Sequence, residues 1–317
     1  MLKYADGRRK HHIPQSTGKE VRLHEMDFNL FRGLRRYPCL PTALAARFYG
    51  GLLQSFQDRA KWLTHEKSVF LPDNTPVEGP MLVRPWELTA APPSAEPAWY
   101  ENSEVASGLV PTKAPAIPQR DDKRHRGMGS SIGATFELDG PEHGFEAVHH
   151  EEIFLHDRFP TTPKHVTRPA WNPLQIEYEG RKYEPDALMG LHVAEGHDFY
   201  VREHDRGGVP FSRREKEGTS NKEKLDNFLW LFTKVRGLRL YEDAWGLPNL
   251  RALFITTSQG RIDTCLKYLE GKPYAERILF KALPQFHRKT WKAPRETIKE
   301  LFTPWQTVAG YVDITKP

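Results

Sequence analysis

Apolar positions along the first third of the chain fall at helical spacing. Phe28, Leu30, Phe31, Leu34 and Tyr37 share one face. Pro38 stops that helix, because a proline pushes the preceding residue out of the α region. A second short helix follows Leu40-Pro41-Thr42 and carries Leu44, Ala45 and Phe48. Gly50-Gly51 makes a turn. A third helix, Leu52 to about His65, buries Leu53, Phe56, Ala60 and Leu63. Its other face shows Gln54, Gln57, Arg59, Lys61 and His65. Val69-Phe70-Leu71 and Met81-Leu82-Val83-Arg84, with a turn at Pro72-Asp73-Asn74, complete a hairpin. Three helices followed by a hairpin form a winged helix-turn-helix pattern, in which the third helix reads a DNA groove and the hairpin is the wing. Residues 26–90 are therefore expected to be a DNA-binding domain, with Gln54, Gln57, Arg59 and Lys61 as contacts. Protein-binding modules also use these elements.

The flanking segments differ. Residues 1–25 are polar and basic, with Arg8-Arg9-Lys10-His11-His12, and read as a flexible tail. Residues 91–143 are rich in Pro, Ala, Ser and Gly and read as a linker, with Ala134 to Leu138 able to pack on a neighbouring domain. A second domain, 144–275, starts with a helix from Phe145 to Phe159. Three strands follow, Leu174–Tyr178, Tyr183–Leu191 and Asp198–Arg202, with turns at Gly180 and Glu195-Gly196-His197. A long helix from Ser220 to Val235, a central strand at Leu253–Thr257 and a helix from Ile262 to Leu269 complete the order αβββαβα. Residues 276–317 form a C-terminal extension.

Composition narrows the class. The chain has 317 residues, enough for two domains with their own cores. With 27% charged and 38% hydrophobic residues, a folded soluble protein is expected. The net charge of +5 favours polyanionic partners. Two distant cysteines, Cys39 and Cys265, exclude a disulfide framework and a Cys₄ zinc site, and suit a reducing cytoplasm. No apolar run is long enough for a membrane span, and the N-terminus has no apolar signal core.

The chemistry concentrates between Tyr183 and Asp205. Asp186 lies at one strand, and Glu203 and Asp205 lie two apart at the next. Alternate residues of a strand share a face, so these carboxylates would converge. Close carboxylates resist ionising together unless a cation joins them. A hard divalent ion, Mg²⁺ or Mn²⁺, fits oxygen donors. It would polarise a phosphate oxygen and acidify a bound water. Glu152 on the first helix is a further candidate ligand, beside Glu151. His149 and His150, adjacent on a helix, would diverge and make a poor zinc pair. Lys222 and Lys224, opening the following helix, supply a positive group for the scissile phosphate. Arg213 and Arg214 suit contacts to the phosphate backbone.

Asp186 followed by Glu203 on the next strand, in an αβββαβ frame, resembles the PD-(D/E)xK restriction-endonuclease-like core. More narrowly, the chain resembles the replication-relaxation family of plasmid and mobile-element proteins. The resemblance rests on the winged-helix pattern, Pro185-Asp186-Ala187, Glu203-His204-Asp205-Arg206-Gly207, Lys222-Glu223-Lys224-Leu225, and Phe254-Ile255-Thr256 followed by Arg261. It spans residues 26 to 270 and implies an α+β fold. It also implies a role in plasmid replication and DNA relaxation in the cytoplasm. Duplex DNA would be the partner, with a second copy or a replication protein beside it. One residue departs from the motif: Asp205 stands where (D/E)xK has its lysine. Either Lys224, or next Lys222, takes that role and the protein is a metal-dependent endonuclease or nickase, or the site is degenerate. A degenerate site would make the protein a non-catalytic replication or transcription regulator.

Overall fold

The computed structural model describes residues 16–84, 98–112, 122–194, 196–212 and 220–316. These divide into two units. The first holds 16–84, 98–111, 122–134 and 293–297, and the second holds the rest. The fold is mixed α/β, with an open seven-stranded sheet and flanking helices in the second unit.

In the first unit, β1 (Val21–Arg22) precedes α1 (Glu25–Arg36), β2 (Leu40–Pro41), α2 (Thr42–Tyr49) and α3 (Leu53–His65). Then come β3 (Ser68–Phe70), β4 (Pro76–Glu78), β5 (Leu82–Val83), β6 (Trp99–Asn102), α4 (Glu104–Leu109) and, as far as Ala134, α5 (Lys123–Asp139), whose last residues are counted with the second unit. Leu30, Phe31, Leu34, Leu44, Ala45, Phe56, Ala60 and Leu63 are fully buried, so the helical periodicity describes a real core. Leu53 is an exception at 50% exposure, because the apolar stripe of α3 begins one turn after its first residue.

Three further expectations need correction here. The hairpin partner of β3 is β4, whereas β5 pairs with β6. Residues 16–25 are no tail: β1 runs parallel to β3, and the Ser16 and Thr17 hydroxyls donate to Glu66 at 2.7 and 2.6 Å. Those hydroxyls, Thr17 first, pull the Glu66 carboxyl down to about 2. The stretch 91–143 is no plain linker, since its described part holds β6, α4 and the 17-residue α5. Helical apolar positions there, Met128, Ile132 and Phe136, are fully buried.

The second unit is built on β7 (Glu146–His149), α6 (His150–Leu155), β8 (Ile176–Tyr178), β9 (Arg181–Tyr183), β10 (Ala187–Val193) and β11 (Gly196–His204). α7 (Asn221–Leu231), β12 (Lys234–Val235), β13 (Leu238–Arg239), α8 (Leu240–Trp245), β14 (Leu250–Thr256) and α9 (Gln259–Leu269) follow. β15 (Ile278–Ala282), β16 (Trp305–Thr307) and β17 (Gly310–Val312) close the chain. The large sheet has the order β17-β16-β15-β14-β11-β10-β7. β7, β10 and β11 form an antiparallel meander, and β11, β14 and β15 run parallel.

β14 is the central strand that its apolar run predicts. Ala252 and Phe254 join a core with Leu225 and Phe228 of α7 and with Ile262 and Cys265 of α9. Leu253 and Ile255, on the opposite face by alternation, are also fully buried. The expected helix from Phe145 is instead a strand through His149, with α6 starting only at His150. The expected first meander strand, Leu174–Tyr178, lies apart in the small β8–β9 hairpin. Residues 276–317, expected as an appendage, contribute the strands β15, β16 and β17 to the sheet.

Candidate active site

Register builds this site. β10 and β11 pair with Ala187 opposite Arg202, and the Asp186 amide donates to the Arg202 carbonyl at 3.0 Å. One further step along that register sets Asp186 across from Glu203. Residues directly opposite in an antiparallel pair project to the same face. Asp186 and Glu203 are both only 2% exposed at the side chain. α7 lies against this face and delivers Lys224, whose ammonium is 2.5 Å from Glu203 Oε2 and 3.9 Å from Asp186 Oδ2. It also donates to the His204 carbonyl at 3.3 Å. Tyr183, at the end of β9, donates its hydroxyl to Glu203 Oε1 at 3.2 Å. His204 joins from the backbone and the ring. Its amide donates to Asp186 Oδ2 at 2.8 Å, and its Nδ1 lies 3.5 Å from the same oxygen.

The start of α7 fixes the lysine. Ser220 caps the helix by accepting from the Glu223 amide at 3.1 Å, and the Glu223 carboxylate receives the Ser220 amide at 3.4 Å. This capping box satisfies two amides of the open helix end. Lys224 then stands in the first turn, where the helix dipole disfavours a cation. The two carboxylates offset that penalty.

Asp205 is not part of the pair. Its Oδ2 receives Asn221 at 3.1 Å, Thr256 at 3.0 Å and Arg261 at 2.6 Å, and its Oδ1 receives the Gly207 amide at 3.0 Å. The carboxylate is fully buried. β11 lies between β10 and β14, so Glu203 serves the β10 side, while Asp205, whose amide bonds Ile255, serves the β14 side. Asn221 and Lys224 are three apart on a helix, about 4.5 Å along its axis. Glu203 and Asp205 are two apart on an extended chain, about 6.6 Å. One helix turn therefore meets both carboxylates with different donors. Arg261 also donates to the Val209 carbonyl, which ties the segment after β11 to α9.

Other expected residues separate from the pair. Lys222 is on the exposed side of α7 and binds Asp226 at 2.7 Å, which raises its pKa, so it is not the lysine of the pair. Glu152 is exposed. Its neighbour Glu151, with His149 and His150, offers ligand atoms within 4.8 Å of one another. The histidines converge because His149 ends a strand and only His150 is helical, leaving their ring centroids 3.8 Å apart. Burial pushes the Cys265 thiol up to about 12, with Asp205 adding to the effect, so this thiol is no nucleophile.

In the first unit, Gln54, Gln57 and Lys61 are exposed along α3, as a contact face requires. Arg59 is not among them. It is buried, with its guanidinium on Asp27 of α1 at 2.9 and 2.5 Å and on the Arg22 carbonyl. Arg213 and Arg214 lie outside the described residues. Tyr183 and Asn221 are not among the expected site residues, while His204 and Arg261 are read only as parts of the matching motifs, without a role of their own.

The side chains present suit a divalent cation. Asp186 and Glu203 are buried oxygen donors facing the same space. The imidazole beside Asp186 adds a nitrogen donor, which favours Mn²⁺ or another transition ion over Mg²⁺, while the His149–His150–Glu151 group is a separate candidate cluster. A cleft of about 290 Å³, lined by Tyr183, Glu203, Glu223, Lys224, Asn227 and others, opens beside the pair. Among the described residues, no helix is long and apolar enough to cross a membrane. No family model, curated protein or solved structure matches the chain.

Proposed function

We propose that this chain is a DNA-binding protein of a plasmid, phage or other mobile element, of the replication-relaxation kind. In this reading its second unit is a PD-(D/E)xK-like nuclease domain that uses Asp186, Glu203 and Lys224. The observation that carries the reading is the Lys224 ammonium, 2.5 and 3.9 Å from the two carboxylates. α7 thus supplies the charge that the strand motif lacks at Asp205. The meander β7–β10–β11, followed by α7 and by β14 parallel to β11, supports the same reading. In the first unit, α1 to α3 with the β3–β4 hairpin support a winged helix that presents Gln54, Gln57 and Lys61 to duplex DNA.

Asp186 and Glu203 would hold a Mg²⁺ or Mn²⁺ ion, which supplies polarisation of a phosphate oxygen and a more acidic water. Lys224 offers its positive charge to the phosphate where negative charge grows. Tyr183 and the His204 amide orient the two carboxylates. The decisive experiment incubates supercoiled plasmid with the protein and Mg²⁺ or Mn²⁺. Wild type should nick or linearise it. Asp186→Ala, Glu203→Ala and Lys224→Ala should each lose about a hundredfold or more, the order expected for a lost transition-state charge contact. An unconverted plasmid with wild type rejects catalysis on that substrate. It would leave the non-catalytic regulator, a reading favoured by Asp205 standing at the motif's lysine position and serving structure alone.

A further inference from the structure

A second cleft, of about 800 Å³, lies beside the small one at the acidic pair. Lys182, Glu223 and Asn227 line both, so the two clefts share a wall. The larger one lies within the size range of ligand clefts, roughly 300–1,000 Å³. Aromatic and cationic groups line it. Trp230 is partly exposed, with the Arg181 guanidinium over its ring at 5.1 Å. Asn227 Oδ1 holds that guanidinium at 2.7 and 3.1 Å. Tyr274 lines the cleft with φ +65°, a left-handed backbone that a tyrosine rarely adopts. Such strain tends to collect at functional sites. Lys182, 3.2 Å from Glu177, and Lys222, bound to Asp226, also line it.

The acids of this cleft are already engaged. Asp226 receives Lys222 at 2.7 Å and the Tyr268 hydroxyl at 2.5 Å, with Lys272 at 3.9 Å. The Glu223 carboxylate turns back to the Ser220 amide. With Lys222 on Asp226 and Lys182 on Glu177, what remains is an aromatic face beside the Arg181 guanidinium, which a neutral amide holds, a combination that takes stacked bases and a phosphodiester backbone.

We propose that this cleft binds an unpaired DNA strand and leads it past Lys182 and Asn227 to Asp186 and Glu203. Bases stack on Trp230 and Tyr274, while Arg181, Lys182 and Lys222 follow the phosphates. The inference deepens the nuclease reading by naming single-stranded DNA as the form that enters the site.

Binding without cleavage tests it. The full chain in EDTA is titrated into a fluorescein-labelled oligothymidine and read by anisotropy, with oligouridine and a DNA hairpin duplex as competitors. Trp230→Ala should weaken binding about ten- to hundredfold, the range for losing one base–aromatic stack. Trp230→Phe should keep most of the affinity. Should Trp230→Ala fail to fold, Lys182→Glu, on an exposed strand residue, carries the test with a weakening of about tenfold or more. Oligothymidine bound equally by wild type, Trp230→Ala and Lys182→Glu overturns the proposal. So does an RNA competitor that binds tighter than DNA, or a duplex that competes better than the single strand. The two readings separate cleanly. Plasmid nicking with strand binding indifferent to Trp230 and Lys182 sinks the cleft alone. Trp230-dependent strand binding without nicking sinks catalysis alone.

Discussion

Glu203 and Asp205 are chemically near-identical and two residues apart, yet they do different work. Alternation sends both toward α7, and what each meets there is decided by the neighbouring strand. Glu203 shares an ammonium with Asp186, whereas Asp205 is saturated by three side-chain donors and an amide. Sequence spacing reveals the first fact and hides the second, because Thr256 and Arg261 come from elements read separately. Asp205→Ala is therefore expected to act on stability. It strands the Arg261 guanidinium and leaves Asn221 and Thr256 without their acceptor, a loss of about 3–5 kcal/mol for breaking a buried pair from one side. Urea denaturation should show an unfolding free energy lower by that amount, read as a lower midpoint at unchanged slope. An unchanged midpoint with lost nicking would instead make Asp205 a member of the reactive set. Arg59 teaches the same lesson. It lies on the same helix as the exposed Gln57 and Lys61, but Asp27 draws it into the core.

At the scale of elements, α7 connects sequence to site. The helix and its start near Ser220 were read from the sequence, and the structure shows why it starts there: Ser220 and Glu223 form a capping box. Where that start points was not legible, because it depends on packing against β11. The meander was misread for a related reason. β10 pairs with β7 across the inserted α6 and β8–β9 hairpin, and the nearest upstream apolar run, Ile176–Tyr178, belongs to that insertion. Strand pattern identifies strands, while pairing is set by long-range contacts that periodicity does not encode. The cap gives a prediction at this scale. Ser220→Ala should cost about 1 kcal/mol of stability, the usual value of an N-cap. It should lower nicking by more than the small unfolded fraction explains, because the first turn holds Lys224. Ser220→Asp, which keeps an acceptor at the cap, should restore both. A Ser220→Ala protein with the lowered midpoint and wild-type nicking would show that the cap does not position the lysine.

For the molecule as a whole, the sequence told more about the first unit than the second. The helices of the first unit are local in sequence, and most of their apolar stripes are the observed core, with Phe28 and Phe48 half-buried and Leu53 exposed. The second unit closes its sheet with β15, β16 and β17. Short strands such as Trp305–Thr307 give too few positions for alternation to be recognised. The whole chain carries a net charge of +5 and presents Lys61 on the exposed face of α3. Duplex binding by that face should weaken with salt, because each neutralised phosphate releases counterions. Lys61→Ala should therefore lower the slope of log affinity against log salt by about 0.9, the share of one phosphate contact. Gln54→Ala with Gln57→Ala should leave the slope alone and flatten the preference among duplex sequences, since amide side chains read base edges. Arg59→Ala should do neither. It removes the partner of the buried Asp27, so its effect belongs in the unfolding free energy, again by about 3–5 kcal/mol. Fluorescence anisotropy across a salt series, run beside urea melts of the same variants, separates the three. A normal slope for Lys61→Ala would remove α3 from the duplex interface.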